Sequence, residues 1–230
     1  VPEPVSFIPP PRMPMSVAAG ALLAWFAAGA GLLAWLMVRW WQVARHVRRA
    51  GPAPEPVHET LQEACRMAGV RRAVRLRLTD RAMSPAVCGL FRPAVVLPRA
   101  LTEQLSPAQL RAVLLHELTH LRRGDVWVNC AQALLQIVYW WHPLLWLANA
   151  RIRRVREEAV DDAVMLALRE DAESYAPTLL EVAKLAFNRP LTSLGLVGIL
   201  ESRSALRQRI ERLVDYDRPR KAGLSVVSVV

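Results

Sequence analysis

The sequence predicts a mainly helical α+β domain with a small β-sheet, attached to a helix that crosses a membrane. Three observations carry this reading. Ser16 to Val38 contains no charged side chain. Short runs between Val74 and Leu97 alternate or cluster their apolar residues with the period of strands. From Ser106 onward the pattern is helical, with residues that start and stop helices at the expected places.

The elements follow in order. Residues 1–15 hold Pro2, Pro4, Pro9, Pro10, Pro11 and Pro14, too many for a helix, and read as an extended tail. Residues 16–38 are long enough to cross a hydrocarbon core of about 30 Å at about 1.5 Å per residue. The run is too long for a signal-peptide core, and no cleavage site follows it. Trp35, Trp40 and Trp41 mark an interfacial belt, and Arg39, Arg45, Arg48 and Arg49 place the following side in the cytoplasm. The tail is then extracytoplasmic, and residues 39–57 form a basic cytoplasmic linker that ends in the Pro-rich run Gly51–Pro56.

A folded domain is expected over 58–215. His58 to Ala68 reads as a helix that stops at Gly69. Val74, Leu76 and Leu78 alternate with Arg75 and Arg77, as in a half-buried strand. Ala86–Leu90 and Ala94–Leu97, separated by Arg92-Pro93, complete a small sheet expected to be antiparallel. Ser106, Pro107 and Gln109 make a capping box with proline in the first turn, so a helix should run to about Arg123 and stop at Gly124. Val126 to Leu147 is strongly apolar and is expected to be two helices broken near His142-Pro143. That stretch is a second spanning or interfacial element, or a cover for the site; length alone does not decide. Further helices are expected over Asn149–Leu168 and Ser204–Val214. Residues 216–230 read as the start of a following segment in a longer protein, with the apolar end after Arg218–Lys221 opening another membrane element.

The net charge of +10 comes mostly from arginine. These arginines are scattered over several helices with no nucleic-acid motif beside them, so an anionic membrane surface is the better partner. Cys65, Cys88 and Cys130 are widely spaced and contain no Cys-x-x-Cys, so neither a disulfide framework nor a thiolate metal site is suggested. They read as buried or free thiols in a reducing compartment.

The chemistry sits in His116-Glu117-Leu118-Thr119-His120, inside the helix that Ser106 caps. Residues four apart share a helical face, so both imidazoles reach one ion. Zinc is the expected metal, although manganese, cobalt and iron accept such donors. Glu117 is placed as the base that takes a proton from the attacking water and passes it to the leaving amine. Ala112 to Leu115 precede the motif and are apolar, and a buried helix carrying three ionisable groups needs something to hold them. Glu157 is the candidate third ligand, with Asp161 one turn later as support for a histidine. Glu158, with Asp162, is the rival pair at the same spacing. Asp125 is either a support for His120 or a turn residue. His142 is left between an oxyanion donor and an interface residue.

These stretches resemble the BlaR/MecR-type membrane zinc metallopeptidases, which include β-lactam-sensing antirepressor peptidases. Ser84 to Pro98 is similar to that family's strand pair before the catalytic helix. His116 to Asp125 is similar to its H-E-x-x-H-x-x-x-x-D. Trp141 to Trp146 resembles its apolar turn. Glu157 to Asp162 resembles its E-x-A-C-D-D, with Val160 in place of cysteine, and favours Glu157 as ligand. Arg209 to Leu213 resembles its closing helix. The resemblance covers about residues 60 to 215. It implies a gluzincin fold, a cytoplasmic zinc domain between membrane helices of a bacterial inner or cell membrane, and a protein substrate such as a repressor or the chain itself. No Ser-x-x-Lys occurs, so the resemblance extends to the peptidase and not to β-lactam recognition. Two other functions compete: a non-catalytic signalling module with a structural metal, and a housekeeping membrane protease of the CAAX-processing or heat-shock type.

Overall fold

A computed structural model describes residues 16–81, 83–187 and 203–214. The Pro-rich tail and the segment after residue 215 lie outside the described residues. Helix α1 covers Val17–Arg49, with Ser16 Oγ accepting from the Ala19 amide at 3.2 Å as its N-cap. It is long and apolar enough to cross a membrane. It does not end at Val38 but continues through the first part of the stretch expected as a linker. The physical reason is local. Arg39 lies over the Trp35 ring at 5.6 Å and Arg45 over Trp41 at 5.1 Å, and cation–π pairs four residues apart support a helix.

The chain then turns straight into the sheet. Strand β1 (Gly51–Pro52) pairs antiparallel with β2 (Arg75–Thr79). Helix α2 (Glu55–Ala68) lies between them and stops at Gly69, whose φ of +67° is left-handed. Strands β3 (Ala86–Cys88) and β4 (Ala94–Pro98) form an antiparallel hairpin, and the sheet order is β1-β2-β4-β3. The expected all-antiparallel sheet is therefore corrected: β2 and β4 run parallel, Leu76 opposite Val95 and Leu78 opposite Leu97. Every residue of β4 is buried, the mark of a central strand covered on both faces.

Short helix α3 (Arg99–Gln104) leads to α4 (Pro107–Arg123), which the Ser106–Gln109 capping box starts and Gly124, at φ +76°, stops. Helix α5 (Asp125–Val138) follows, and then α6 (Pro143–Leu168), with Pro143 in its first turn. The break falls at His142-Pro143 as expected. A short 3₁₀ turn over Arg169–Ser174 leads to α7 (Tyr175–Phe187), and α8 (Arg203–Val214) closes the described fold.

The core lies around α4. Leu110, Leu114, Leu115 and Leu118 pack with Leu61 and Ala64 of α2, Leu76 and Leu97 of the sheet, Val160 and Val164 of α6, and Tyr175. Burial of such side chains stabilises by about 1.5–3 kcal/mol each. The helix that carries the H-E-x-x-H residues is thus enclosed by α2, the sheet, α6 and Tyr175, which fixes where its polar face points.

Candidate metal centre

His116 and His120 stand one turn apart on α4, and Glu157 faces them from α6. One donor atom from each of the three lies within 4.8 Å of the others. His116 Nε2 is 3.2 Å from His120 Nε2 and 3.5 Å from Glu157 Oε2, and His120 Nε2 is 3.7 Å from Glu157 Oε1. Donors about 2.0–2.2 Å from a tetrahedral zinc stand about 3.3–3.6 Å apart. The nitrogen–nitrogen separation and the nearest approach of each nitrogen to the carboxylate, which fall on different oxygens of Glu157, lie close to that spacing.

The other face of each ring is occupied. His120 Nδ1–H donates to Asp125 Oδ2 at 2.7 Å. Tyr175 Oη donates to Asp161 Oδ1 at 2.7 Å, which leaves its oxygen to accept from His116 Nδ1–H at 2.8 Å. Both Nε2 lone pairs are then aimed into the same space as a carboxylate. Such a convergence needs a cation or protons between its members.

The electrostatics agree. Burial works to lower the His116 pKa, but hydrogen bonds with Asp161 and Glu157 outweigh it and the net shift is upward. For His120 burial again opposes, and Asp125 and Glu157 outweigh it, pushing the ring up to about 10. Glu157 is held well below the usual carboxylate range: burial would raise it, and the two histidines overcome that. A field that favours a proton on these nitrogens also favours a metal ion there, and the two compete.

Glu117 is partly exposed beside His116. Burial, helped by the Glu117 charge, raises the Cys88 thiol to about 11. Asp161 is fully buried. Arg209 forks onto it, Nε to Oδ2 at 2.9 Å and Nη2 to Oδ1 at 2.8 Å, and reaches Glu157 Oε2 at 3.4 Å.

Of the residues singled out from sequence, His116, His120, Glu157, Asp125 and Asp161 are brought together, and Glu158, Asp162 and His142 are not. Of the rival pair, Asp162 turns its carboxylate to Arg212 of α8, which also bonds the backbone carbonyl of Glu158 at 3.3 Å, and neither joins the three-donor group. Asp125 holds a histidine while also opening α5. His142 caps α6 at the turn, its ring against Trp141 at 5.3 Å. Sequence reasoning missed Tyr175 altogether, and saw Arg209 only as part of a closing helix.

A family model described as BlaR1 peptidase M56 matches residues 9–213. The chain belongs to this family. Among curated proteins, it is 30% identical over 134 residues to the regulatory protein BlaR1 of Bacillus licheniformis, covering 58% of this chain and 22% of that protein. It is 21% identical over 148 residues to the methicillin resistance mecR1 protein of Staphylococcus aureus, covering 64% of this chain and 25% of that protein. The chain spans about a quarter of the length of these M56 relatives. The matched region of the M56 model takes in α1 and every residue of the centre described above.

Proposed function

We propose that the chain is a membrane-anchored, zinc-dependent endopeptidase that acts in regulated proteolysis, cutting a cytoplasmic or membrane-proximal protein. The observation that carries this reading is the convergence of one donor atom each from His116, His120 and Glu157 within 4.8 Å of one another. Membership of a peptidase family supports the reaction class, and relatives named as a regulatory and a resistance protein support a role in signalling. The gluzincin assignment rests on the two-histidine, one-glutamate donor set.

His116, His120 and Glu157 would hold the metal, and a two-His, one-Glu set suits catalytic zinc. When bound, the ion supplies Lewis acidity toward the scissile carbonyl and the attacking water. Glu117, adjacent to the first ligand, accepts the proton from that water at its carboxylate and returns it to the departing amine. Asp125 and the Tyr175–Asp161 pair hold the two rings in one tautomer. Arg209 keeps Asp161 ionised and restrains Glu157.

In this reading residues 16–38 anchor the chain in a bacterial cell membrane, with the tail of residues 1–15 outside. The basic end of α1 and the peptidase domain, about 58–215, face the cytoplasm, as the four arginines after Val38 favour. The substrate is a protein or peptide, with a transcriptional repressor or the chain itself as first candidates.

The deciding experiment is metal analysis by mass spectrometry on the purified chain and three variants. About one zinc per chain is expected, as for other sites of this donor set, lost in His116→Ala and Glu157→Ala. Glu117→Gln should retain the zinc and lose cleavage of an unfolded protein substrate by about 10²–10⁴-fold. Folded, unmodified protein without bound metal sinks the proposal. Full activity in Glu117→Gln removes the base and favours a structural metal in a signalling module.

A further inference from the structure

The hairpin made by α5, its turn and the first turns of α6 is built inside out. Its interior is polar: Gln132, Gln136 and Asn149 are buried. They are paired, Gln132 Nε2 donating to Asn149 Oδ1 at 3.1 Å and Arg156 Nη2 donating to Gln132 Oε1 at 2.8 Å. Its outer surface is apolar. Leu135, Val138 and Trp141 are exposed, and Leu144 and Leu147 are 65% and 67% exposed. Helices of water-soluble domains show the reverse arrangement. From Val126 to Ala150 there is no Asp, Glu, Lys or Arg, while exposed Arg122 and Arg123 stand just before this stretch and exposed Arg151 and Arg154 just after it.

We infer that this hairpin is a re-entrant element, inserted into the cytoplasmic leaflet of the bilayer that α1 crosses. The inference rests on reading α1 as a membrane helix. Continuity with α1 selects the lipid as occupant. Leu36 of α1 is 1% exposed and clusters with Ala133 and Ile137 of α5 and with Leu32. Leu32 and Leu36 belong to the uncharged stretch 16–38, so whatever packs on them sits at hydrocarbon depth.

The length fits entry and return rather than crossing: α5, with 14 residues, reaches about 21 Å against a core of about 30 Å. Backbone groups at that depth must find partners within the protein. The turn provides them, Tyr139 N bonding Leu135 O at 2.9 Å, His142 N bonding Tyr139 O at 3.0 Å and Leu145 N bonding His142 O at 3.2 Å. Interior amides pair with one another, as polar groups in a membrane must. The flanking arginines meet anionic headgroups. His120 and Asp125 stand where the hairpin begins, so the scissile bond is presented at headgroup level and the substrate is a membrane-proximal segment.

The test is nitroxide labelling of the whole chain in phosphatidylcholine–phosphatidylglycerol vesicles, with Cys65, Cys88 and Cys130 replaced by Ser. Labels are placed at Leu135 and Leu144 on the hairpin, Leu22 on α1 and Glu59 on α2. The ratio of collisions with oxygen to collisions with a nickel chelate is expected to be several-fold higher at Leu135, Leu144 and Leu22 than at Glu59. Each probe decides its own reading. Nickel-accessible labels at Leu135 and Leu144 beside a lipid-shielded Leu22 overturn the hairpin and leave the anchor, whereas a nickel-accessible Leu22 overturns the anchor. On the unmodified chain, a diazirine in the lipid acyl chain should label the 127–150 region as well as α1. Labelling confined to α1 counts against the hairpin by a route that needs no substitution.

Discussion

Replacing Arg209 with Met should be among the most damaging single changes in the domain, although Arg209 is no candidate ligand. The side chain is 9% exposed and donates to both oxygens of Asp161, which is 0% exposed. In Arg209→Met the methionine fills much of the same volume, but Asp161 keeps its charge with Tyr175 and His116 as its remaining partners. Burial works to raise the Asp161 pKa, and His116 and Arg209 together hold it below the ordinary carboxylate range. Without Arg209 that balance fails. Removing one member of a buried ion pair typically destabilises by about 3–5 kcal/mol. In a chain of this size 1 kcal/mol shifts the melting temperature by about 2–4 °C, so a fall of roughly 6–20 °C is expected. The assay is thermal unfolding followed by tryptophan fluorescence in detergent at fixed metal and protein concentration. Arg209→Met/Asp161→Asn, which removes the stranded charge, should recover at least about 1 kcal/mol relative to the sum of the single variants. A melting shift under about 3 °C, or strictly additive variants, refutes the view that Arg209 stabilises by compensating Asp161.

Other predictions follow from the same geometry. Asp125→Asn keeps the fold and loosens metal binding by about 10–100-fold in a chelator competition; unchanged affinity means that Asp125 does not orient His120. Cys88, raised from near 9 to about 11, should alkylate with iodoacetamide about 100-fold more slowly at pH 8 than in the unfolded chain, because two units remove that much thiolate. Its rate should climb through pH 9 to 11, where the native thiol finally ionises, and Glu117→Gln should shift the climb to lower pH. A plateau near pH 9 contradicts the burial of the thiol. Gly89→Ala should destabilise by about 1–3 kcal/mol. Its φ is +92° and a Cβ there would stand 2.6 Å from the Arg92 carbonyl oxygen, so an unchanged melting temperature shows that the β3–β4 turn relaxes freely.

What was legible in the sequence was local. Ser106, Pro107, Gln109 and Gly124 define α4 by capping chemistry within a few residues, and His116, Glu117 and His120 follow from helical spacing. Glu157 and Asp161 also share a helical spacing, but that spacing equally allowed Glu158 and Asp162; the structure separates the pairs because Arg212 sits on the second. Tyr175 and Arg209 meet the site from 59 and 48 residues away along the chain, and no periodicity encodes such a meeting. The sheet was misread because Arg92-Pro93 truly joins an antiparallel pair, and the same orientation was extended to β2. The unbroken apolar run Ala94–Leu97, unlike the alternating Arg75–Leu78, already marked a strand with neighbours on both sides.

Helix α6 has 26 residues, a stiff rod of about 39 Å. Its first turns belong to the apolar hairpin, and Glu157 and Asp161 sit part-way along it. Glu157 lies about 21 Å from Pro143, so tilting the rod by about 5° about that end carries the carboxylate sideways by about 2 Å. A displacement of about 1 Å at reacting groups is enough to cost about 100-fold in rate. The apolar end is then the pivot, and the carboxylate of Glu157 swings at a radius of about 21 Å from it. On the reading proposed above, an agent that tilts the apolar end, whether a neighbouring helix or a change in bilayer thickness, moves Glu157 relative to His116 and His120 on α4.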